Sequence, residues 1–489
     1  MTQSLPLPIG SYVLPDPRAS CKRLVNIFSE PVPQDSVVSE IKSGSPSDSQ
    51  PSYLRRWAGI TQFATDGSTN PVRGLWLMQG VVYAVIGPTL YSMSSTGSLT
   101  QVGTGIPGSG FVRMTDNTAC LVILVPNSNT CYTYCPNASG QPTFQQLTAS
   151  LFITYGAIDC KFVDSYIVFL STSGRIFYND DGQIISGQNQ ITFTTNAIFP
   201  REFGTDLFVG LGVDHREVTN FGSLSTEGYL NAGNPVGTPF STAPQSFVEL
   251  GCHPNAAYSI ALQDQALFWV ANDRTVRRKN GQTPQRVSNS GIESILEHAT
   301  LVGSYALTPT IGGHPLWVYV MPADFRTIAY DCLTNEWFEI ESYNIGYWRG
   351  LSYVNAYGKQ LIGDGLSGKI GYLDTSVFSE FGTNLVSSFT TQPVYYQHNR
   401  IVHRRLELVI STGQGNLTGA QVTCYISDDA GHTFRALPRR NLGGTGNYWA
   451  RATWFNMGQS RERVYKFSIS DPTPTFTVNI TADLDMGKW

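Results

Sequence analysis

The sequence predicts an all-β protein, a β-propeller expected to have seven blades followed by a C-terminal β-sandwich. Three observations lead there. An antiparallel meander over residues 316–340 recurs along the chain. The recurrence has the length of a propeller blade. Near residue 386 the repeat gives way to a different series of alternating strands.

The meander is clearest at Leu316–Met321, an apolar strand. It is followed by Thr327–Asp331, a short turn and Thr334–Ile340, which carries Trp337. Weaker copies begin at Val81, Leu121, Tyr166, Leu207, Leu267 and Leu361. With Leu316 these make seven units, stepped by 40, 45, 41, 60, 49 and 45 residues. A period of about 40–50 residues with several short strands per unit is the signature of propeller blades. Each meander has a face it cannot bury alone, and packing blades around an axis buries those faces and leaves few open edges.

Taken in order, residues 1–52 read as an extended N-terminal segment and linker, 53–385 as the propeller and 386–489 as the sandwich. Residues 37–51 are rich in Ser, Pro and Asp and have little to pack. Residues 53–63 are the candidate strand to complete the last blade and close the ring. The long step between the units at Leu207 and Leu267 is assigned to a polar insertion over 222–245 (Ser, Thr, Gly, Pro, Asn), a loop suited to contacts or to a free surface. Residues 292–301 have helical spacing of Ile292, Ile295, Leu296 and Ala299. In the last domain, strands are expected at 404–410, 421–427, 449–455, 464–469 and 476–482. Five strands within about 90 residues and no helix argue a sandwich.

Charged residues make up 14% of the chain, well below the ~25% usual for soluble proteins, whereas aromatics reach 12% and there are 47 glycines. That balance suits β structure with broad protein contacts. A net charge of −4 gives no overall attraction to nucleic acid. Residues 1–20 hold four prolines and no apolar signal-peptide core, and the longest apolar run, 119–125, is far too short to span a membrane, so a cytoplasmic protein is expected. The eight cysteines form no CxxC pair. Cys120 faces Cys135 if the intervening hairpin turns at Asn127-Ser128. A disulfide is then open to the pair, but buried thiols are expected in a reducing compartment.

No catalytic set emerges, and no enzyme, metal or cofactor is expected. Gly103-x-Gly105-x-x-Gly108 fits GxGxxG, but Pro107 lies inside it and a strand, not a helix, follows. A Gly-rich inter-blade loop is the better reading. The seven histidines are dispersed.

Two features mark the last domain. Ser427, Asp429, Gly431, Thr433 and Phe434 match the SxDxGxTW Asp-box hairpin, with Phe for Trp, and read as a structural turn. Sialidases carry this box in several blades, so a carbohydrate-binding or glycan-degrading propeller is the rival reading. A single copy, outside the propeller, argues against it. The second feature is charge. From Asn399 to Trp489 there are 11 Lys and Arg against 7 Asp and Glu, a surplus of four, so with −4 overall the rest of the chain carries −8. Arg400, Arg404, Arg405, Arg435, Arg439, Arg440, Arg461 and Arg463, with Arg451 in the same basic set, are the candidate contacts to protein partners or to DNA phosphates. Protein contact is preferred.

Three stretches resemble one family. They are Cys21-x-Arg23-Leu24-x-Asn26-Ile27-Phe28-x-Glu30, then Tyr53-Leu54-Arg55-x-x-x-Gly59-Ile60-Thr61, and the run from Trp454 to Pro472. They resemble the packaged-DNA stabilisation proteins, or tail hubs, of short-tailed bacteriophages. The resemblance implies a structural virion protein assembled in the host cytoplasm. It would form a homo-oligomeric ring, expected as a hexamer, below the portal-adaptor connector. It would line the DNA exit channel with non-specific contact to double-stranded DNA, retain the packaged genome until ejection, and anchor tail spikes, fibres or a needle. A soluble scaffold propeller unrelated to viruses is the remaining alternative.

Overall fold

Short β-branched and aromatic runs, separated by Gly, Asn and Asp turns, fold here into successive antiparallel hairpins. The computed structural model describes residues 2–31, 52–126, 129–136, 143–171, 173–179, 193, 197–200, 204–234, 237–397, 399–412, 419–444 and 446–486. The linker read at 37–51 lies outside the described residues. Among those described, no helix is long and apolar enough to cross a membrane.

Five four-stranded meanders cover residues 72–104, 113–146, 159–200, 208–242 and 261–286. A sixth uses Gly350–Ala356, Lys359–Asp364 and Lys369–Asp374, and is completed by Gly59–Thr65 from the other end of the chain. The second strands Leu121–Val125 and Ala266–Val270 are wholly buried, because each blade is covered on both faces by its neighbours. Asp-anchored turns recur between strands. Asp331 accepts from the Leu333 amide at 2.9 Å and the Thr334 hydroxyl at 2.9 Å, and Asp364 holds Leu366 and Ser367 in the same way.

The expectation of seven equivalent blades is corrected: six sheets are self-contained blades. The seventh repeat, the meander at 305–339, is no separate sheet. Its last strand Glu336–Glu339 meets Cys21–Val25, which pairs with Ser387–Thr390, and the sheet runs on through Glu462–Ile469 and Gln421–Ser427 as one body of thirteen strands. A strand from the N-terminus covers the outer edge of that meander, so it is shared with the sandwich.

Three further expectations change. Only Gly59–Thr65 of the proposed closing segment joins the last blade, while Ser52–Arg56 pairs with Ile27–Pro31 and Phe476–Met486 in the sandwich. Residues 222–245 are not an insertion loop, since Thr226–Asn231 and Phe240–Thr242 are the outer strands of their blade. Cys120 and Cys135 are joined as a disulfide rather than held as thiols. Leu121 and Tyr134 are register partners, which sets the two cysteines opposite each other. The helical stretch appears as Ser290–His298, capped by Asn289, whose side chain accepts from the Ile292 amide at 2.9 Å. The glycine-rich stretch 103–110 leaves the strand Leu99–Thr104 as an inter-blade loop that wraps the buried Arg73 guanidinium, which donates to the carbonyls of Gly87, Pro107 and Gly110 at 2.7–2.8 Å.

The sandwich faces a seven-stranded sheet against the far half of the thirteen-stranded one. The seven-stranded sheet contains Ile401–Ser411, Phe476–Met486 and Trp449–Phe455. Leu406, Leu408, Ile410, Trp454, Phe467 and Ile480 fill the space between the sheets. Behind them, buried His403 has its Nδ1 2.6 Å from the Tyr465 hydroxyl and its Nε2 2.8 Å from Ser460 Oγ.

Propeller and sandwich meet at the N-terminal segment. Asn26 sits buried in the left-handed region at φ +54°. Its side chain donates to the carbonyls of Glu341 (2.8 Å) and Val386 (2.7 Å) and accepts from the Glu341 amide (2.9 Å). Its backbone donates to Glu339 and accepts from Trp57, both at 2.8 Å. Beside it, Arg23 grips Glu339 through two bonds of 2.8 and 2.9 Å. Buried Arg56 has no carboxylate partner among the described residues and donates to Ser387 Oγ and to the carbonyls of Leu385, Asp471 and Thr473 at 2.6–2.9 Å. Gly59 is obligatory, because a Cβ there would lie 2.4 Å from the Ser379 carbonyl.

Two outcomes follow for stability. Asn26→Ala strands buried peptide groups and forces Ala into the left-handed region, so urea unfolding is expected to show a loss of about 3 kcal/mol. Asn26→Gly should recover about 1 kcal/mol of that, the part due to backbone conformation. Equal losses in the two variants would contradict this division. For His403, burial and then Arg463 pull the pKa down to about 4. The unfolded chain takes up that proton near the ordinary value of 6.5, so stability falls as pH drops from 6.5 toward 4, by up to ~1.4 kcal/mol per pH unit. His314 acts in the opposite sense. Burial lowers its pKa, but Asp331 and Glu30 outweigh burial and raise it, so its contribution is lost as pH rises through the folded-state value. Thermal melts between pH 7 and 4.5 should therefore show a shallower acid loss in His403→Gln than in wild type.

Candidate interface on the C-terminal sandwich

Strand alternation sets this surface. Ile401–Ser411 and Trp449–Phe455 pair antiparallel, with Arg405 opposite Phe455, Val409 opposite Arg451 and Ser411 opposite Trp449. Leu406, Leu408, Ala450, Ala452 and Trp454 point inward. Trp449 (60% exposed), Arg451 and Phe455 (62% exposed) point out, with Tyr448 at 63% beside them. Trp449–Phe455 is also the last strand of its sheet. Arg440 covers part of that edge, donating from Nε to the Thr453 carbonyl at 2.7 Å. Exposed aromatics interleaved with arginine on one sheet face are the composition of protein-contact cores.

The structure sorts the candidate arginines. Arg463 is fully buried. It holds Asp428 through two bonds of 2.6 and 2.9 Å and donates to the Met457 carbonyl at 2.9 Å, so it is an internal post and is withdrawn as a surface contact. Arg404 pairs with Asp485 and Arg405 with Glu407. Arg440 is committed to Thr453. Arg400, Arg435, Arg439 and Arg461, like Arg451, are exposed and carry no ion pair among the described residues. They fall into separate groups. Arg400 and Arg461 flank the register pair Ile401–Ser460, next to the exposed Tyr395 and Tyr396. Arg435 and Arg439 lie on the excursion after the Asp-box turn.

At that turn the Asp429 carboxylate accepts from the Ser427 hydroxyl (2.6 Å), the Thr433 amide (2.9 Å) and the Thr433 hydroxyl (2.5 Å), while the Gly431 amide donates to Ser427 Oγ (2.8 Å). These bonds hold the Asp429 carboxyl well below the usual carboxylate range. Gly431 supplies φ +96°. Phe434 lies at the surface with the Lys466 ammonium 5.8 Å from its ring. Asp429 spends its acceptors inside its own turn, which is not how a general acid is placed.

The aromatic part of the surface was missed from sequence. In Trp449-Ala-Arg-Ala-Thr-Trp-Phe455 both faces carry a large aromatic, so hydrophobicity alone does not say which one is buried. The small Ala450 and Ala452, which fit a close-packed interior, were the available signal. Among the described residues, no cluster of His, Cys, Asp and Glu has the makings of a metal site.

Comparison with known proteins bears on the whole chain. Solved structures match parts of the chain at low identity. One is a computationally designed protein, Ika8, with 10% identity over 64% of this chain and 99% of that one and a TM-score of 0.36. Another is the WD40 β-propeller domain of Doa1, with 11% identity over 65% of this chain and 97% of that one and a TM-score of 0.39. No curated protein matches the chain in sequence. Two family profiles do match: Bacteriophage P22 Gp10, beta-propeller, over residues 41–378, and Bacteriophage P22 Gp10, beta-sandwich, over residues 387–485. With both halves accounted for in chain order, the protein belongs to the P22 Gp10 family of phage DNA-stabilisation tail proteins.

Proposed function

We propose that this protein is a tail hub. Copies assemble as a ring, expected as a hexamer, below the portal-adaptor connector. The ring extends the DNA exit channel, helps retain the packaged genome and offers attachment for spikes, fibres or a needle. The observation that carries the reading is membership of a structural phage tail family across both domains. The mechanism is mechanical. A propeller and sandwich joined through a continuous sheet make a stiff block, and the exposed Trp449–Arg451–Phe455 face makes contacts to neighbouring virion proteins. The unpaired Arg400, Arg435, Arg439 and Arg461 supply charge to the same assembly contacts or to passing DNA phosphates, without reading sequence. Four cations in separate groups touch a sliding duplex without clamping it.

The test is co-sedimentation of the purified protein with the portal-adaptor complex of the same virion at moderate salt. Binding at a fixed ratio of about one copy per two adaptor subunits is expected, as a six-fold ring docked on a twelve-fold one requires. No association at micromolar concentration sinks the hub. The double variant Trp449→Ala/Phe455→Ala should weaken assembly by about tenfold or more with its melting temperature unchanged, because exposed aromatics contribute to contacts rather than to the fold. Asp429→Ala should leave assembly intact. Turnover of a glycan panel by the wild type and its loss in Asp429→Ala would favour the glycan-degrading alternative.

A further inference from the structure

The propeller axis carries a second feature, unrelated to the sandwich surface. The leading strands of the blades surround a cavity of about 280 Å³, lined by residues of Val72–Met78, Arg113–Asp116, Asp159–Val163, Ala261–Gln263, Tyr305–Leu307 and Gly350–Ala356. Most of the lining is apolar or neutral. Two cations, Arg113 and Lys161, break that pattern.

Among the described residues, their close counter-charge is Asp159, and it is already shared. Asp159 sits two residues before Lys161 on one strand, and so on the same face. Its Oδ1 accepts from the Cys160 amide at 2.9 Å and its Oδ2 from the Leu211 amide at 3.0 Å. Arg113 Nε lies 3.2 Å from Oδ1, close enough for an ion pair but misaligned for a hydrogen bond, so this buried N–H has no acceptor. Arg113 is itself only 8% exposed. Its guanidinium stacks 4.4 Å from the Tyr258 ring centroid and reaches the Ala257 carbonyl only at 3.4 Å. Among the described residues, no hydrogen bond or ion pair engages the Lys161 ammonium. Burial lowers the Lys161 pKa, Asp159 opposes that and Arg113 adds to it. The wall of the cavity thus holds one positive charge more than it neutralises, together with an unsatisfied guanidinium N–H. Enclosed charge left in that state is costly unless a counter-ion completes it.

We propose that the axial cavity binds one small oxyanion, a carboxylate or a phosphate, held by Arg113 and Lys161. The guanidinium supplies planar donors and the ammonium a point charge, which together match an oxyanion better than a neutral ligand. At 280 Å³ the space admits an inorganic ion with water or one compact organic acid, and excludes a nucleic-acid strand.

Isothermal titration of the full chain with inorganic phosphate, with glucuronate and with neutral glucose tests this. Saturable binding of phosphate or glucuronate and none of glucose is expected, and whichever anion binds more tightly identifies the source chemistry. Lys161→Met should weaken that binding by about tenfold or more, whereas Arg461→Gln on the sandwich should leave it unchanged. Lys161→Gln serves where Met is not tolerated. Melts of wild type at constant ionic strength should rise with the anion and saturate, and Lys161→Met in chloride alone should melt no lower than wild type, having lost an uncompensated charge. Absence of a saturable signal with both anions up to about 10 mM, or equal affinity in the Lys161 variants, overturns the site.

Discussion

Asn26 is the joint on which the two halves of this molecule hang. One residue in a left-handed backbone conformation satisfies peptide groups from the shared meander, from the connector between the domains and from the segment that leads to the closing strand. Asparagine suits the place for two reasons. It tolerates positive φ better than other side-chain-bearing residues, and its amide both donates and accepts. Arg23 and Arg56 reinforce the same junction from either side, Arg23 through the Glu339 carboxylate and Arg56 through carbonyls and a hydroxyl. Arg23 and Asn26, two of the residues by which the sequence resembles its family, therefore fasten propeller to sandwich.

Arginine has an unusual part in a chain so poor in charge. Arg56, Arg73 and Arg463 are buried; Arg56 and Arg73 gather backbone carbonyls from segments distant in sequence, and Arg463 holds the Asp428 carboxylate and the Met457 carbonyl. Five donors in a rigid fork let one side chain satisfy several loops that have no strand partner. The cost of desolvating the cation is offset by carbonyls that would otherwise be buried unpaired. This explains why the count of arginines in the last ninety residues overstated the surface available to partners. Arg463 was counted as surface and belongs to the interior.

What could be read from sequence was local. The strands of the sandwich lie within a few residues of where alternation put them, and the apolar second strands of the blades showed the repeat, because both patterns are set by neighbours in the chain. What could not be read was pairing between distant segments. Nothing in Cys21–Val25 announces that it lies between Glu336–Glu339 and Ser387–Thr390, so the fusion of the seventh repeat with the sandwich, and hence the count of self-contained blades, was out of reach. The outer strands at 226–242 were hidden by polar composition, although Thr226 and Glu227 are buried and Glu227 accepts from the Tyr229 hydroxyl. The exposed Trp449 and Phe455 were hidden for the opposite reason, since large aromatics usually signal an interior.

Closure by Gly59–Thr65 has a consequence for how the chain is made. Its partner strand, Lys369–Asp374, leaves the ribosome some three hundred residues later, and the partners of Thr2–Leu5 come later still, at Phe476–Met486. During synthesis the early segments emerge with their hydrogen-bonding edges open, while the blades between them can form one after another from local contacts. Ring closure thus waits for residues 369–374 and docking of the sandwich for residues 476–486, after the blades between have formed. A chain that stops between residues 375 and 475 can close its ring but lacks the strand on which Thr2–Leu5 and Ser52–Arg56 pair.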